Sequence, residues 1–443
     1  MEQPKQEQPA QVTAGSTQAG DVRARWGWAE ASVWTDRMLT ALEQGVKGGV
    51  WFSLVDKVYA EANLEASYRK VARNRGAAGV DHETVDDFGK RKEQRLEEIR
   101  RQLKDGTYRP QAIRRKLIDK PGTQEKRPLG IPTVRDRVVQ GALRHVLEPI
   151  FEREFAAHSY GFRPGRGCKD ALRRVDGLMR RGYRYTVDVD LKSYFDTIPH
   201  GRLMEVVRQR IADSRVLGLI EAFLKASILD GMTTWVPGQG TPQGAVLSPL
   251  LSNLYLSDLD HKMARAGYEM TRYADDIVIQ CRTAQEAEDA LKVLREWVED
   301  RGLTLHPTKT KIVDVDVEGF DFLGYHFERG HRWPRKKSLD RLQDVIRDKT
   351  RRTSGESLER IISEVNKTLR GWFEYFKHSS KRTFRKLDPW IRMRLRSILR
   401  RRQRQRGCGR GRDHQAWPNA FFAARGLHSL VEARAALAQP PAG

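Results

Sequence analysis

Three aspartates have the type and spacing to hold metal ions. Asp190 falls at the end of Tyr183 to Leu191, where Tyr183, Tyr185, Val187 and Val189 alternate with Arg184, Thr186, Asp188 and Asp190. That period of two predicts a half-buried strand with carboxylates on its open side. Asp275 and Asp276 lie in TRYADDIVIQ, residues 271–280, which reads as two short strands meeting at a tight Asp-Asp turn. Carboxylates converging from neighbouring strands offer hard oxygen ligands suited to Mg²⁺. Two such ions, about 3.5–4 Å apart, can activate an attacking hydroxyl and hold a departing pyrophosphate, which is the chemistry of nucleotidyl transfer. Taken singly each piece is commonplace, because a strand-terminal Asp is often only a turn former.

The elements that must position these residues follow from periodicity. Residues 202–228 read as helical, and Thr283 to Asp300 as an amphipathic helix with Ala287, Ala290, Leu291, Leu294 and Val298 inward. Ser248-Pro249 predicts a helix cap and first turn. Earlier in the chain, Trp26 to Arg73 and Glu93 to Leu103 carry helical spacing. Tyr108 to Ile131 is basic and strand-like, and Val138 to Phe151 predicts a helix that ends near Pro149. Mixed helices and antiparallel strands indicate an α+β core. After about Gly330 the composition shifts: His331 to Arg412 holds 27 Lys and Arg against 8 Asp and Glu. Leu358, Ile361, Ile362, Val365 and Leu369 repeat there at helical spacing, predicting helices with one apolar stripe and a basic face for a phosphate backbone.

The whole chain repeats that bias. Its 443 residues have a net charge of +23, which calls for a polyanion, nucleic acid first; a merely solvated basic face is the alternative. The three cysteines, Cys168, Cys281 and Cys408, build neither a disulfide framework nor a Cys-rich zinc module, which fits a reducing compartment. Residues 1–25 are expected to be disordered on composition. The first twenty lack the pattern of a signal or transit peptide, and no apolar run approaches the ~20 residues of a membrane span.

The order of the motifs resembles the polymerase encoded by group II introns, which combines reverse transcriptase and RNA-splicing (maturase) activities. YRKVARNRGAAGVD at 68–81 looks like that family's N-terminal extension to the fingers, and RPLGIPTVRDRVVQ at 127–140 with SYGFRPGR at 159–166 like its fingers motifs. DLKSYFDTIPH at 190–200, GTPQGAVLSPLL at 240–251 and YADD at 273–276 resemble successive palm motifs. LTLHPTKTK at 303–311 and FLG at 322–324 look like the last two, and residues 369–396 like the thumb, called domain X. The resemblance runs from about Tyr68 onward. It implies a right-hand polymerase of α+β class, with fingers and palm at 46–330 built on antiparallel sheet and an α-helical thumb (maturase domain X) at 331–400. A partly disordered N-terminal extension at 1–45 and a basic C-terminal tail at 401–443 flank it.

Site roles are carried over residue by residue. The resemblance implies that Asp190 and Asp275 ligate two Mg²⁺ ions, with Asp276 accessory. Phe195 falls at the steric gate, where an aromatic ring excludes a ribose 2′-OH; plain core packing is the alternative, and Asp196 stands beside it. Gln243 and Gly244 would contact the incoming nucleotide and the template base. Lys120 and Arg127 would clamp the triphosphate, though Ile118-Asp119-Lys120 departs from the family's Ile-Pro-Lys, and a surface salt bridge or generic RNA contact is the alternative. Lys309 would protonate the leaving pyrophosphate or act as an electrostatic contact only. Arg370, Arg392, Arg394 and Arg396, among Trp372, Tyr375 and Phe376, would grip RNA, with burial of the aromatics as the alternative.

The implied partners are group II intron RNA, an RNA template with a DNA primer, target DNA and dNTPs, with no membrane. The implied location is the bacterial cytoplasm, at the nucleoid during mobility. WPNAFF at 417–422 and GLHSL at 426–430 look like the endonuclease-free class C members, which implies priming from an existing 3′ end. Two other readings stay open: an RNA-binding maturase that does not polymerise, and a domesticated relative in DNA repair or defence. Intact Asp190, Asp275 and Asp276 count against the first.

Overall fold

The computed structural model describes residues 19–119, 126–405 and 411–437. Its strands are β1 (Ile113–Asp119), β2 (Lys126–Ile131), β3 (Tyr185–Val189), β4 (Ile228–Asp230), β5 (Thr233–Trp235), β6 (Glu269–Tyr273), β7 (Asp276–Cys281), β8 (Lys311–Asp314), β9 (Phe320–Phe322), β10 (Tyr325–Glu328) and β11 (His331–Pro334). They form three sheets, ordered β2-β1-β4-β5, β6-β7-β3-β8 and β11-β10-β9. The central sheet is antiparallel throughout, whereas β1 and β4 in the first pair in parallel. The expected antiparallel pairing thus holds throughout the central sheet and for β1 with β2 and β4 with β5, and the first sheet adds one parallel pair, because β4 does not follow β1 through a hairpin.

Helices Ser248–Arg265 and Ala284–Asp300 cover one face of the central sheet, burying Leu254, Leu259, Ala290, Leu294 and Val298 against Ile277 and Ile279. The other face packs Ala171, Leu172 and Val175 of helix Cys168–Arg180 on Val278 and Val313. This coverage explains why β7 is buried from Ile277 to Cys281 and reads as a nearly continuous apolar run.

Several expectations need correction. Residues 19–25, read as disordered, form a helix, and Val22, Trp34, Leu39 and Leu42 of the N-terminal segment lie in the main core. Residues 1–18 lie outside the described residues. The helix expected over Val138 to Phe151 starts earlier, at Val134, and ends at Glu152, with Pro149 inside its last turn. Proline there removes the N–H that would bond the carbonyl four residues back, that of His145. The buried Trp34 indole fills the gap, with Nε1 donating to the His145 carbonyl at 2.9 Å. The stretch read as helical at 202–228 holds helices His200–Arg208 and Ser214–Leu224, and between them the Asp213 carboxylate caps the second and accepts from the backbone N–H of Leu54 and Val55. Ser248 is not the cap expected of it. The N-cap is Leu247, and the Ser248 hydroxyl donates to the Pro242 carbonyl at 2.9 Å.

Beyond β11 come helices Lys336–Lys349, Leu358–Phe376 and Lys381–Arg402, closed around Leu342, Ile346, Ile362, Val365, Leu369, Phe384 and Leu395. The segment read as a basic tail is no loose tail: Trp417, Phe422 and Leu430 are buried in this same cluster. Cys408 lies outside the described residues. Among those described, no helix is long and apolar enough to cross a membrane.

Candidate active site

The register of the central sheet brings the three aspartates to one end. Val189 pairs with Ile277, so the next step along β3 sets Asp190 beside Asp276, which opens β7. Asp275 occupies the turn between β6 and β7, after Ala274 in the left-handed region at φ +58°. Asp190 is fixed from its other side by the segment after helix Ala284–Asp300. His306 N–H donates to the Asp190 carbonyl at 2.7 Å, and the Thr310 hydroxyl both accepts from Asp190 N–H and donates to its carbonyl, each at 3.2 Å. Lys309 then reaches Asp190 Oδ2 at 3.5 Å.

Electrostatics at this end fit a hard divalent cation. Crowding of the carboxyl by protein atoms, then the charge of Asp275, then that of Asp190, push the Asp276 carboxyl up to about 6, although the residue as a whole is exposed to solvent. Asp275 is raised by burial and by Asp190, opposed by Arg127 and Arg272. Asp188, two residues before Asp190 on the same face, is pushed up to about 7 by burial and then by Asp276, Asp321 and Asp190, against the pull of Lys311. Among the described residues no three such side chains are already gathered into a cation cage. The donor set is nonetheless all oxygen and mutually repulsive, and bound divalent ions would relieve that repulsion. Asp190, Asp275 and Asp276 are the residues that would hold them.

Around this centre the other expected residues take distinct places. Phe195 is half-buried in a short helix, Tyr194–Thr197, edge-on to Tyr194, and its carbonyl accepts from Thr241 N–H at 2.6 Å. That bond ties it to the loop carrying Gln243, whose Nε2 donates to Asp196 Oδ2 at 3.4 Å and whose carbonyl accepts from Gly130 N–H at 2.6 Å. Gly244, at φ +105°, leaves no room for a side chain, because a Cβ would stand 2.5 Å from the Gly130 carbonyl. Its close approach is thus to β2. Arg127 lies on β2 opposite Ile118, and its charge acts on Asp196, Asp275 and Asp276. Lys120 lies outside the described residues.

The thumb arginines divide. Arg370 is exposed and Arg392 half-buried on the helical surface. Arg396 is buried, with Nε donating to the Trp417 carbonyl and Nη2 to Asn419 Oδ1, both at 2.9 Å, and its guanidinium over Phe422. It fastens the C-terminal segment and is corrected from an RNA contact to a structural residue. Arg394 is half-buried and donates to the Arg347 and Thr350 carbonyls and to Thr350 Oγ1, closing the end of helix Lys336–Lys349. Phe376 is buried, and the Tyr375 hydroxyl donates to the Leu323 carbonyl at 2.7 Å.

Two residues near the centre escaped sequence reading. Arg335 acts on Asp276 from the start of the thumb, and its Nε is buried without a hydrogen-bond partner. Arg272, immediately before Tyr273, is fully buried. Its adjacency to the Asp-Asp turn was the available signal.

Residues 118–327 match the family "Reverse transcriptase (RNA-dependent DNA polymerase)", and residues 339–417 match "Group II intron, maturase-specific domain". The chain is 37% identical over 251 residues to the group II intron-encoded protein LtrA of Lactococcus lactis subsp. cremoris, covering 53% of this chain and 41% of that protein. It is 36% identical over 283 residues to protein YkfC of Escherichia coli K12, covering 55% and 72% respectively. A chain of the partial Cas6-RT-Cas1–Cas2 complex matches at 22% identity and a TM-score of 0.36, covering 56% of this chain and 42% of that one, a likeness too loose to bear on the fold. A reverse transcriptase core joined to a maturase-specific helical domain is the class these matches and the central sheet define. The chain belongs to the family of group II intron-encoded reverse transcriptase/maturases. It spans 41% of the length of its Lactococcus relative.

Proposed function

We propose that this chain is an RNA-directed DNA polymerase that extends a DNA primer on an RNA template with dNTPs, and that it binds its parent intron RNA to assist splicing and mobility. The observation that carries the polymerase reading is the β3–β7 register, which puts Asp190 beside the Asp275-Asp276 turn. Two Mg²⁺ ions held there would polarise the primer 3′-hydroxyl and neutralise the departing pyrophosphate. The charge of Arg127 acts on Asp275 and Asp276 and would serve the triphosphate. Gln243 and Phe195, joined through Thr241, form the wall against the nucleotide sugar. Lys309, close to Asp190, is a proton source or charge for the leaving group.

Splicing assistance rests on the helical domain and its basic surface. We place the protein on intron RNA through exposed side chains such as Arg370, with priming from an existing 3′ end of target DNA. The test is dTMP incorporation by purified protein on poly(rA)/oligo(dT) with Mg²⁺, beside an Asp275→Ala, Asp276→Ala double variant. Synthesis lost in the variant supports the polymerase. No synthesis from folded protein that still binds structured RNA tightly would leave only the splicing role.

A further inference from the structure

Behind the Tyr-Ala-Asp-Asp turn lies a buried polar cluster that no step above uses. Arg272 at the end of β6 and Asp260 on helix Ser248–Arg265 are both fully buried. An isolated buried guanidinium is strongly unfavourable, but here each of its three nitrogens has a partner. Nε donates to Asp260 Oδ1 at 2.7 Å and Nη2 to Asp260 Oδ2, while Nη1 donates to Asn253 Oδ1 at 2.9 Å and to the Ala274 carbonyl at 3.0 Å. Asn253 extends the frame, its Nδ2 donating to the Gly161 carbonyl at 2.6 Å. Gly161 sits directly beneath the turn, where a Cβ would stand 2.3 Å from Ala274 N. Backbone bonds close the frame: Arg272 N–H donates to the His158 carbonyl at 3.0 Å and Tyr160 N–H to the Arg272 carbonyl at 2.9 Å.

The object held is an unusual one. Ala274 keeps φ +58°, a conformation that L side chains rarely adopt, and it is the residue that turns the chain into Asp275. Buried ion pairs often add little to stability over an apolar replacement, so their better-attested use is in fixing one arrangement among several. We infer that Arg272, Asp260 and Asn253 are positioning residues of the metal centre, holding the Ala274 turn so that Asp275 and Asp276 face Asp190. This inference rests on the metal-dependent reading proposed above.

Its test uses the full chain and two readouts. Mn²⁺ binding is followed by loss of the free-ion paramagnetic resonance signal, and dTMP incorporation is measured on poly(rA)/oligo(dT). The variants are Arg272→Lys, Asp260→Asn and Asn253→Ala. Folded variants with wild-type RNA affinity are expected to bind Mn²⁺ about ten-fold more weakly. Their kcat should fall roughly a hundred-fold with KM for dTTP within about two-fold, since misplacement spares nucleotide binding. If the Arg272 and Asp260 variants do not fold, Asn253→Ala decides, because it leaves the ion pair intact. Folded variants that keep wild-type Mn²⁺ affinity and kcat overturn the inference. Should the wild type bind Mn²⁺ without polymerising, the proposed function fails while the Mn²⁺ comparison still decides this point. Wild-type protein that binds no Mn²⁺ overturns both.

Discussion

Asp276 and Asp188 set how the proposed metal centre responds to pH. In the metal-free protein their carboxyls are pushed up to about 6 and about 7. The folded state therefore binds more protons than the unfolded chain between about pH 4 and about pH 7. Stability from these groups is present at low pH and lost as pH rises through those values. Divalent ions need the ionised carboxylates and act in the opposite sense. Mg²⁺ should therefore raise the melting temperature more at about pH 8 than at about pH 5.5, with little shift in the Asp275→Ala, Asp276→Ala double variant; an equal shift at both pH values argues against a carboxylate site. Phe195 allows a second test at this scale. Phe195→Ala should raise UTP incorporation relative to dTTP by roughly ten- to a hundred-fold, and an unchanged ratio would make it a packing residue. The aspartates were legible in the sequence because strand alternation and a tight turn are local signals. Arg272 was not, because its role depends on partners 12 and 19 residues away that only the fold brings together.

At the scale of elements, the same limit recurs in helix Val134–Glu152. Proline is a sound local stop signal, yet the helix continues because Trp34, 111 residues away, donates to the carbonyl that Pro149 leaves without a partner. Trp34→Phe should cost about 1–3 kcal/mol by orphaning that buried carbonyl. Adding Pro149→Ala restores the helical N–H, so the double variant should recover part of the loss. Strict additivity of the two changes in denaturant unfolding would contradict this account. The thumb helix Lys381–Arg402 shows the converse error. Arginine on a basic helix reads as surface, but Arg396 is drawn inward by the Trp417 carbonyl and Asn419. Arg396→Met should lower thermal stability with the phosphate-contact count unchanged. Arg370→Ala should instead leave the melting temperature alone and reduce the salt slope of RNA binding by about one.

For the whole molecule, the main lines were legible: an α+β body, a basic helical domain after it and a net charge of +23. Less legible was how tightly the ends are built in, since Trp34, Trp417 and Phe422 look like isolated aromatics until their cores are seen. The charge predicts RNA affinity that falls steeply with salt, while the proposed chemistry depends on a few carboxylates at one sheet end. The most direct measurement separates these two properties on the same preparation. It is addition of a single dTMP to a labelled DNA primer annealed to RNA, by the wild type and by Asp190→Asn, which keeps the shape and removes the charge. The account predicts extension by the wild type and loss of roughly a thousand-fold or more in the variant, with RNA affinity unchanged. Extension by Asp190→Asn at near the wild-type rate would contradict it.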